Sequence, residues 1–110
     1  MRYAVDISAR AKSDLQDICD YIAFELLATE NAVGQLDRLE KSIMGLESMP
    51  LRFREYEYEP WKSRGLHIMP VDNFVVLYIL NEETAVVTII RVMYGGRNID
   101  KQLSEQTEYK

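Results

Sequence analysis

The run Phe74-Val75-Val76-Leu77-Tyr78-Ile79-Leu80 is seven apolar residues without a polar interruption, and it constrains the fold more than any other stretch of the chain. A strand points successive side chains to opposite faces, so a run apolar at both parities needs cover on each side and belongs in mid-sheet. It is far too short for a membrane-spanning helix, which takes roughly 20 apolar residues. The flanking runs Leu66 to Val71 and Ala85 to Tyr94 are rich in β-branched and aromatic residues. Asp72-Asn73 and Asn81-Glu82-Glu83 separate the three at hairpin spacing.

The N-terminal half has other periods. Tyr3, Val5 and Ile7 alternate with Arg2, Ala4 and Asp6, the period of two expected of a strand with one covered face. Ala11, Leu15, Ile18, Cys19, Ile22, Ala23, Leu26 and Leu27 then recur at helical spacing, predicting a helix of about five turns. Ser8 is its candidate N-cap. After a short break at Ala28-Thr29-Glu30, the residues Ala32, Leu36, Leu39, Ile43 and Leu46 predict a second helix, antiparallel to the first and stopped by Met49-Pro50. The expected architecture is α+β, in the order β-α-α-β-β-β, with an antiparallel sheet packed by an N-terminal helical hairpin. The segment Ile99 to Leu103 is expected as a short C-terminal helix or tail that helps cover the second face, unless a partner protein does so. Residues 104–110 are expected to fray.

At 110 residues, 47% apolar and 28% charged, the chain reads as one globular domain spanning 1–110. The N-terminus lacks the apolar core of a secretory signal, so a cytoplasmic protein is expected, with no membrane partner. One cysteine, Cys19, and one histidine, His67, fall short of an internal disulfide and of the usual zinc set, so no metal or cofactor is expected. The net charge of -5 is uneven: residues 1–51 carry five basic and nine acidic groups, whereas residues 52–101 carry seven of each. An anion-binding face would have to come from the second half.

Several residues there can carry chemistry. By strand parity Arg91 projects with Val87, Ile89 and Met93, among apolar neighbours. It either snorkels to solvent, pairs with a carboxylate, or binds an anion. Tyr94-Gly95-Gly96-Arg97 is a turn, or a place where a phosphate approaches main-chain N–H groups. Trp61-Lys62-Ser63-Arg64-Gly65-Leu66-His67 joins an aromatic, two cations and the imidazole, a composition suited to single-stranded RNA. His67 can act as acid or base in phosphodiester transesterification, or can be an ordinary hydrogen-bonded strand histidine.

The order of elements resembles the RelE/ParE superfamily of toxins from type II toxin–antitoxin systems. The likeness is carried by the stretch from Gly65 to Tyr78, by Ile90 to Ile99, by Ser8, Ala11, Asp14-Leu15, Ile18 and Tyr21-Ile22, and by Met49-Pro50 after the second helix. It implies a small bacterial toxin neutralised by a cognate antitoxin protein. RelE-like members cut messenger RNA on the ribosome without a metal, and ParE-like members inhibit DNA gyrase. An mRNA interferase is the first expectation here. His67 or Tyr94 would handle the proton, Arg91 and Arg97 would hold the scissile phosphate, and Lys62 and Arg64 would bind substrate. The alternatives are a gyrase-inhibiting toxin without catalysis and a non-toxic relic that still binds its antitoxin. The chain departs from the RelE-like pattern in several places. Val75 stands where that pattern has an arginine, Leu66 to Val71 lacks its lysines, its later tyrosine, which would fall near Leu103, is missing, and His67 replaces a common cation.

Overall fold

The computed structural model describes residues 2–25, 27, 29–96 and 98–104, with residue 29 through its backbone. Strand β1 (Ala4–Ile7) leads into helix α1 (Ala9–Asp20), which continues as a π-helical turn over Tyr21–Glu25. Helix α2 (Thr29–Met44) runs back, and 3₁₀ turns at Gly45–Glu47 and Pro50–Arg52 follow. Strands β2 (Leu66–Val71), β3 (Phe74–Asn81) and β4 (Val86–Tyr94) precede helix α3 (Ile99–Ser104). The order matches the α+β expectation. Among the described residues no helix is long and apolar enough to cross a membrane.

Local chemistry sets the boundaries. The Ser8 hydroxyl accepts from the Ala11 N–H at 3.1 Å and donates to the Ile90 carbonyl at 3.2 Å, so it caps α1 and ties it to β4. The chain reverses around Leu27, whose φ is 52°, and Thr29 and Glu30 already belong to α2. Leu26 and Ala28, assigned above to the first apolar stripe and to the break, lie outside the described residues. Asn98 caps α3 through its side chain at 3.1 Å. Of the C-terminal segment expected to fray, Ser104 ends α3, and residues 105–110 lie outside the described residues.

The sheet order is β1-β4-β3-β2. β3 lies between β2 and β4, antiparallel to both, as its two-faced apolar run requires. β1 corrects one expectation: it pairs with β4 in parallel, so the sheet is mixed rather than wholly antiparallel. The intervening helices and hairpins supply the long crossover that a parallel pair needs. Being an edge strand, β1 keeps Ala4 and Asp6 exposed while Val5 and Ile7 are half-buried.

Two apolar layers flank the sheet. On one face Val76, Tyr78, Val87, Ile89 and Val92 pack under Ala11, Leu15, Leu39 and Ile43 of the helical hairpin. On the other, Leu66, Ile68, Val75, Leu77 and Met93 pack against Tyr56, Trp61 and Leu103. The second face is therefore covered by the irregular segment before β2 together with α3. Gly65, at φ 81°, closes the turn after Trp61, with the Leu66 N–H donating to the Trp61 carbonyl at 3.1 Å.

The β3–β4 turn is held by Asn81, whose Oδ1 accepts from the N–H groups of Glu83 and Thr84. It ends on Ala85 at φ 54°, a left-handed conformation that costs an L-residue roughly 1–2 kcal/mol. Ala85→Gly is expected to raise stability by about 1 kcal/mol, less the extra entropy of the unfolded glycine. A higher denaturation midpoint at unchanged slope would confirm it, and a lower midpoint would contradict it.

Candidate functional site

The hydrogen-bond register fails to shift evenly along β3 and β4. Leu77 pairs with Arg91 and Tyr78 with Ile89, so Ile90 is an extra residue in a bulge. The bulge breaks the parity read from the sequence: Val87 and Ile89 join the helix-side layer, whereas Ile90 and Met93 join the opposite one. Arg91 does not reach an open surface, being only 5% exposed. Its Nε and Nη2 donate to the two carboxylate oxygens of Asp14 at 2.6 and 3.1 Å, and its Nη1 donates to the Gln102 carbonyl at 2.9 Å.

Asp14 accounts for this placement. β1 stops at Ile7, leaving the edge of β4 beyond Ile89 without a strand partner, and the first turns of α1 lie along that edge. Asp14 takes the Val92 N–H at 3.0 Å as well as the Arg91 fork, and Arg10 approaches it at 3.5 Å. One carboxylate thus substitutes for part of a missing strand and neutralises the guanidinium. A sequence signal existed: Asp14 sits on the same helical face as Ala11, Leu15 and Ile18, at a core position where an acid needs a buried cation.

His67 is 8% exposed, on the helix-side face, with its ring stacked on Tyr78 at 5.4 Å between centroids. Its Nδ1 lies 3.0 Å from the Gly65 carbonyl, which can only accept, so Nδ1 carries the proton. Tyr94 is 48% exposed at the far end of β4. Its ring meets Phe74 edge-on at 5.9 Å and lies so close over Gly96 that a Cβ there would stand 2.6 Å from Tyr94 Cε2. Gly96 therefore makes room for an aromatic ring.

These groups are not brought together. His67 pairs with Tyr78 and Tyr94 with Phe74, four residues apart along β3 and on opposite sides of it. At about 3.3 Å per residue and 4.8 Å per strand, their backbones are roughly 16 Å apart, too far for both to serve one phosphate. Lys62 and Arg64 are exposed beside Trp61, over the opposite layer of the sheet. Arg64 rests on the Trp61 ring at 4.9 Å, and Trp61 itself is 4% exposed, leaving no face for a base to stack on. Arg97 lies outside the described residues.

Two further tyrosines carry strongly shifted acidities. Burial, reinforced by a hydrogen bond to Asp100, pushes the Tyr56 hydroxyl up to about 12. Burial likewise pushes Tyr78 up to about 12, partly offset by Arg52, and its hydroxyl donates to the Pro50 carbonyl. Both values exceed the unfolded value of about 10, so these groups support the fold fully below that pH and lose their contribution as pH rises toward 12. Alkaline titration followed by phenolate absorbance is expected to show Tyr56 and Tyr78 ionising late, with stability falling over the same window. Ionisation of Tyr56 and Tyr78 near 10 in the folded protein would contradict this.

The helical hairpin presents a different kind of feature. An open groove of about 350 Å³ runs along it, floored by Ile7, Leu15, Cys19, Leu36, Ile43 and Met44 and rimmed by Lys12, Gln16 and Glu40. An apolar floor with a polar rim can seat an amphipathic segment.

A family model described as the ParE toxin of type II toxin–antitoxin systems, parDE, matches residues 5–99. The fold is similar to a solved structure of the chromosomal ParDE system from P. aeruginosa, with a TM-score of 0.69 at 16% identity over 84% of this chain and 96% of that one. It is also similar to the RelBE2 toxin–antitoxin complex from Mycobacterium tuberculosis, with a TM-score of 0.64 at 21% identity over 86% and 99%. The archaeal RelE–RelB complex from Pyrococcus horikoshii gives a TM-score of 0.60 at 19% identity over 89% and 100%. At these identities the likeness is one of fold. No curated protein matches the chain.

Proposed function

Because this chain belongs to the ParE toxin family of type II toxin–antitoxin systems, we propose that it arrests growth by occupying DNA gyrase rather than by cutting RNA. It is the toxin of its pair, and its partner is a cognate antitoxin. The observation that carries the reading is the dispersal of the groups RNA cleavage would need. Arg91 is neutralised by Asp14, and His67 and Tyr94 lie on opposite sides of β3, facing residues four apart along it. A toxin that works by occupation needs no assembled acid–base pair, so neither this dispersal nor the departures from the RelE-like pattern count against it. The net charge of -5 also disfavours a polyanion, because affinity for nucleic acid comes largely from cations that displace its counterions. The hairpin groove is the place we assign to an amphipathic antitoxin segment.

Induced expression of the wild type and of a His67→Gln/Tyr94→Phe variant tests the reading. Both are expected to arrest growth equally, leaving transcripts intact and plasmid DNA short of negative supercoils. Ribosome-dependent transcript ends that appear with the wild type and vanish with the variant would establish RNA cleavage instead.

A further inference from the structure

The end of the helical hairpin combines two features that neither the fold nor the groove uses. From residue 13 to residue 37 the chain has six carboxylates and not one lysine or arginine. Of these, Asp14 is committed to Arg91 and Asp37 pairs with Lys41 at 2.9 Å. Among the described residues no cation pairs with Asp17, Asp20, Glu25 or Glu30, and Asp20 receives only the amide of Gln16 at 2.9 Å. On the same end Tyr21, Phe24, Leu27 and Val33 are exposed by 56, 72, 86 and 64%. Large apolar side chains this exposed, grouped at one end of a small domain, are the usual mark of an interaction surface.

We infer that this end of the hairpin docks on a protein surface that presents lysines or arginines around an apolar pocket. The inference rests on reading the toxin as one that occupies a protein target, and it names the surface used. Charge decides among occupants. A nucleic acid would bring its phosphates against four carboxylates that no cation among the described residues pairs with. A second copy of this chain would bring the same carboxylates against themselves. A cationic protein surface gains from both parts, because Phe24 and Leu27 fill a pocket while Glu25 and Glu30 meet its rim. Phe24 and Leu27 lie outside the hairpin groove, so target and antitoxin would meet different side chains.

The test uses the full chain, its Phe24→Ser/Leu27→Ser and Glu25→Lys/Glu30→Lys variants, purified gyrase holoenzyme with relaxed plasmid, and growth after induction. The altered side chains are solvent-exposed, and matching thermal melts establish that the variants fold. Both variants are expected to need about tenfold more protein than the wild type for half-inhibition of supercoiling. They are also expected to lose growth arrest, and wild-type inhibition is expected to weaken as salt rises. If the wild type arrests growth but leaves gyrase untouched, the choice of gyrase fails and growth decides this inference: loss of arrest in both variants upholds it, and arrest retained in either overturns it. Stronger arrest by the Glu25→Lys/Glu30→Lys variant would identify a polyanionic partner and overturn it. So would a wild-type dimer that the Phe24→Ser/Leu27→Ser variant dissolves, or a wild type that neither arrests growth nor inhibits gyrase.

Discussion

Asp14→Ala is expected to lower folding stability by about 3–5 kcal/mol, since removing one partner of a buried ion pair takes the counter-charge from the other. Here Arg91, 5% exposed, loses the carboxylate that its Nε and Nη2 share, and the Val92 N–H loses its acceptor as well. The loss corresponds to a melting temperature lower by something on the order of 15 °C. Arg91→Ala is expected to cost a similar amount, because it leaves Asp14 to the more distant Arg10 at 3.5 Å and removes a side chain that ties α1 to α3 through the Gln102 carbonyl. Removing both charges at once behaves differently. Asp14→Leu/Arg91→Met is expected to recover most of the loss, because well-packed apolar replacements spare the desolvation of two ions. Chemical denaturation of the four proteins measures the coupling. A double variant as unstable as the sum of the single ones would show that the two residues act independently.

Trp61→Ala is the second large effect, at about 3–5 kcal/mol for a buried aromatic cut to alanine. Trp61 sits in a segment without regular structure, 4% exposed, against Leu66, Ile68 and Leu77 on the sheet face away from the helical hairpin. If that face were completed chiefly by a partner protein, truncation would cost little in the free chain and much in the complex. The full loss is expected in the free chain, by chemical denaturation, and a value under about 1 kcal/mol would contradict this cover. Lys62→Ala and Arg64→Ala, exposed beside Trp61, are expected to stay within about 0.5 kcal/mol of the wild type.

Much of the fold was legible because its determinants are local or periodic. The two-faced run from Phe74 to Leu80 required mid-sheet placement, Ser8 marked the start of α1, and the turn residues between β2, β3 and β4 marked the hairpins. The parallel pairing of β1 with β4 was not legible, since alternation at Tyr3, Val5 and Ile7 fixes a covered face but neither partner nor direction. The site was harder for a definite reason. Parity carried Arg91 to one face only if β4 were regular, and the single extra residue Ile90 undid that projection. Its partner lies 77 residues earlier in the chain, where periodicity marks Asp14 as facing the core without saying what it meets there. For His67 and Tyr94 residue type suggested chemistry, but their separation depends on strand register, which hydrophobic patterns leave open.

DNA supercoiling by purified gyrase in the presence of the purified protein, run beside translation-coupled messenger RNA on purified ribosomes, separates occupation of gyrase from RNA cleavage. Supercoiling is expected to fail as protein is added while the messenger stays whole, with the His67→Gln/Tyr94→Phe variant as potent as the wild type. Unimpaired supercoiling together with a messenger cut at the ribosome, and spared by that variant, would contradict it.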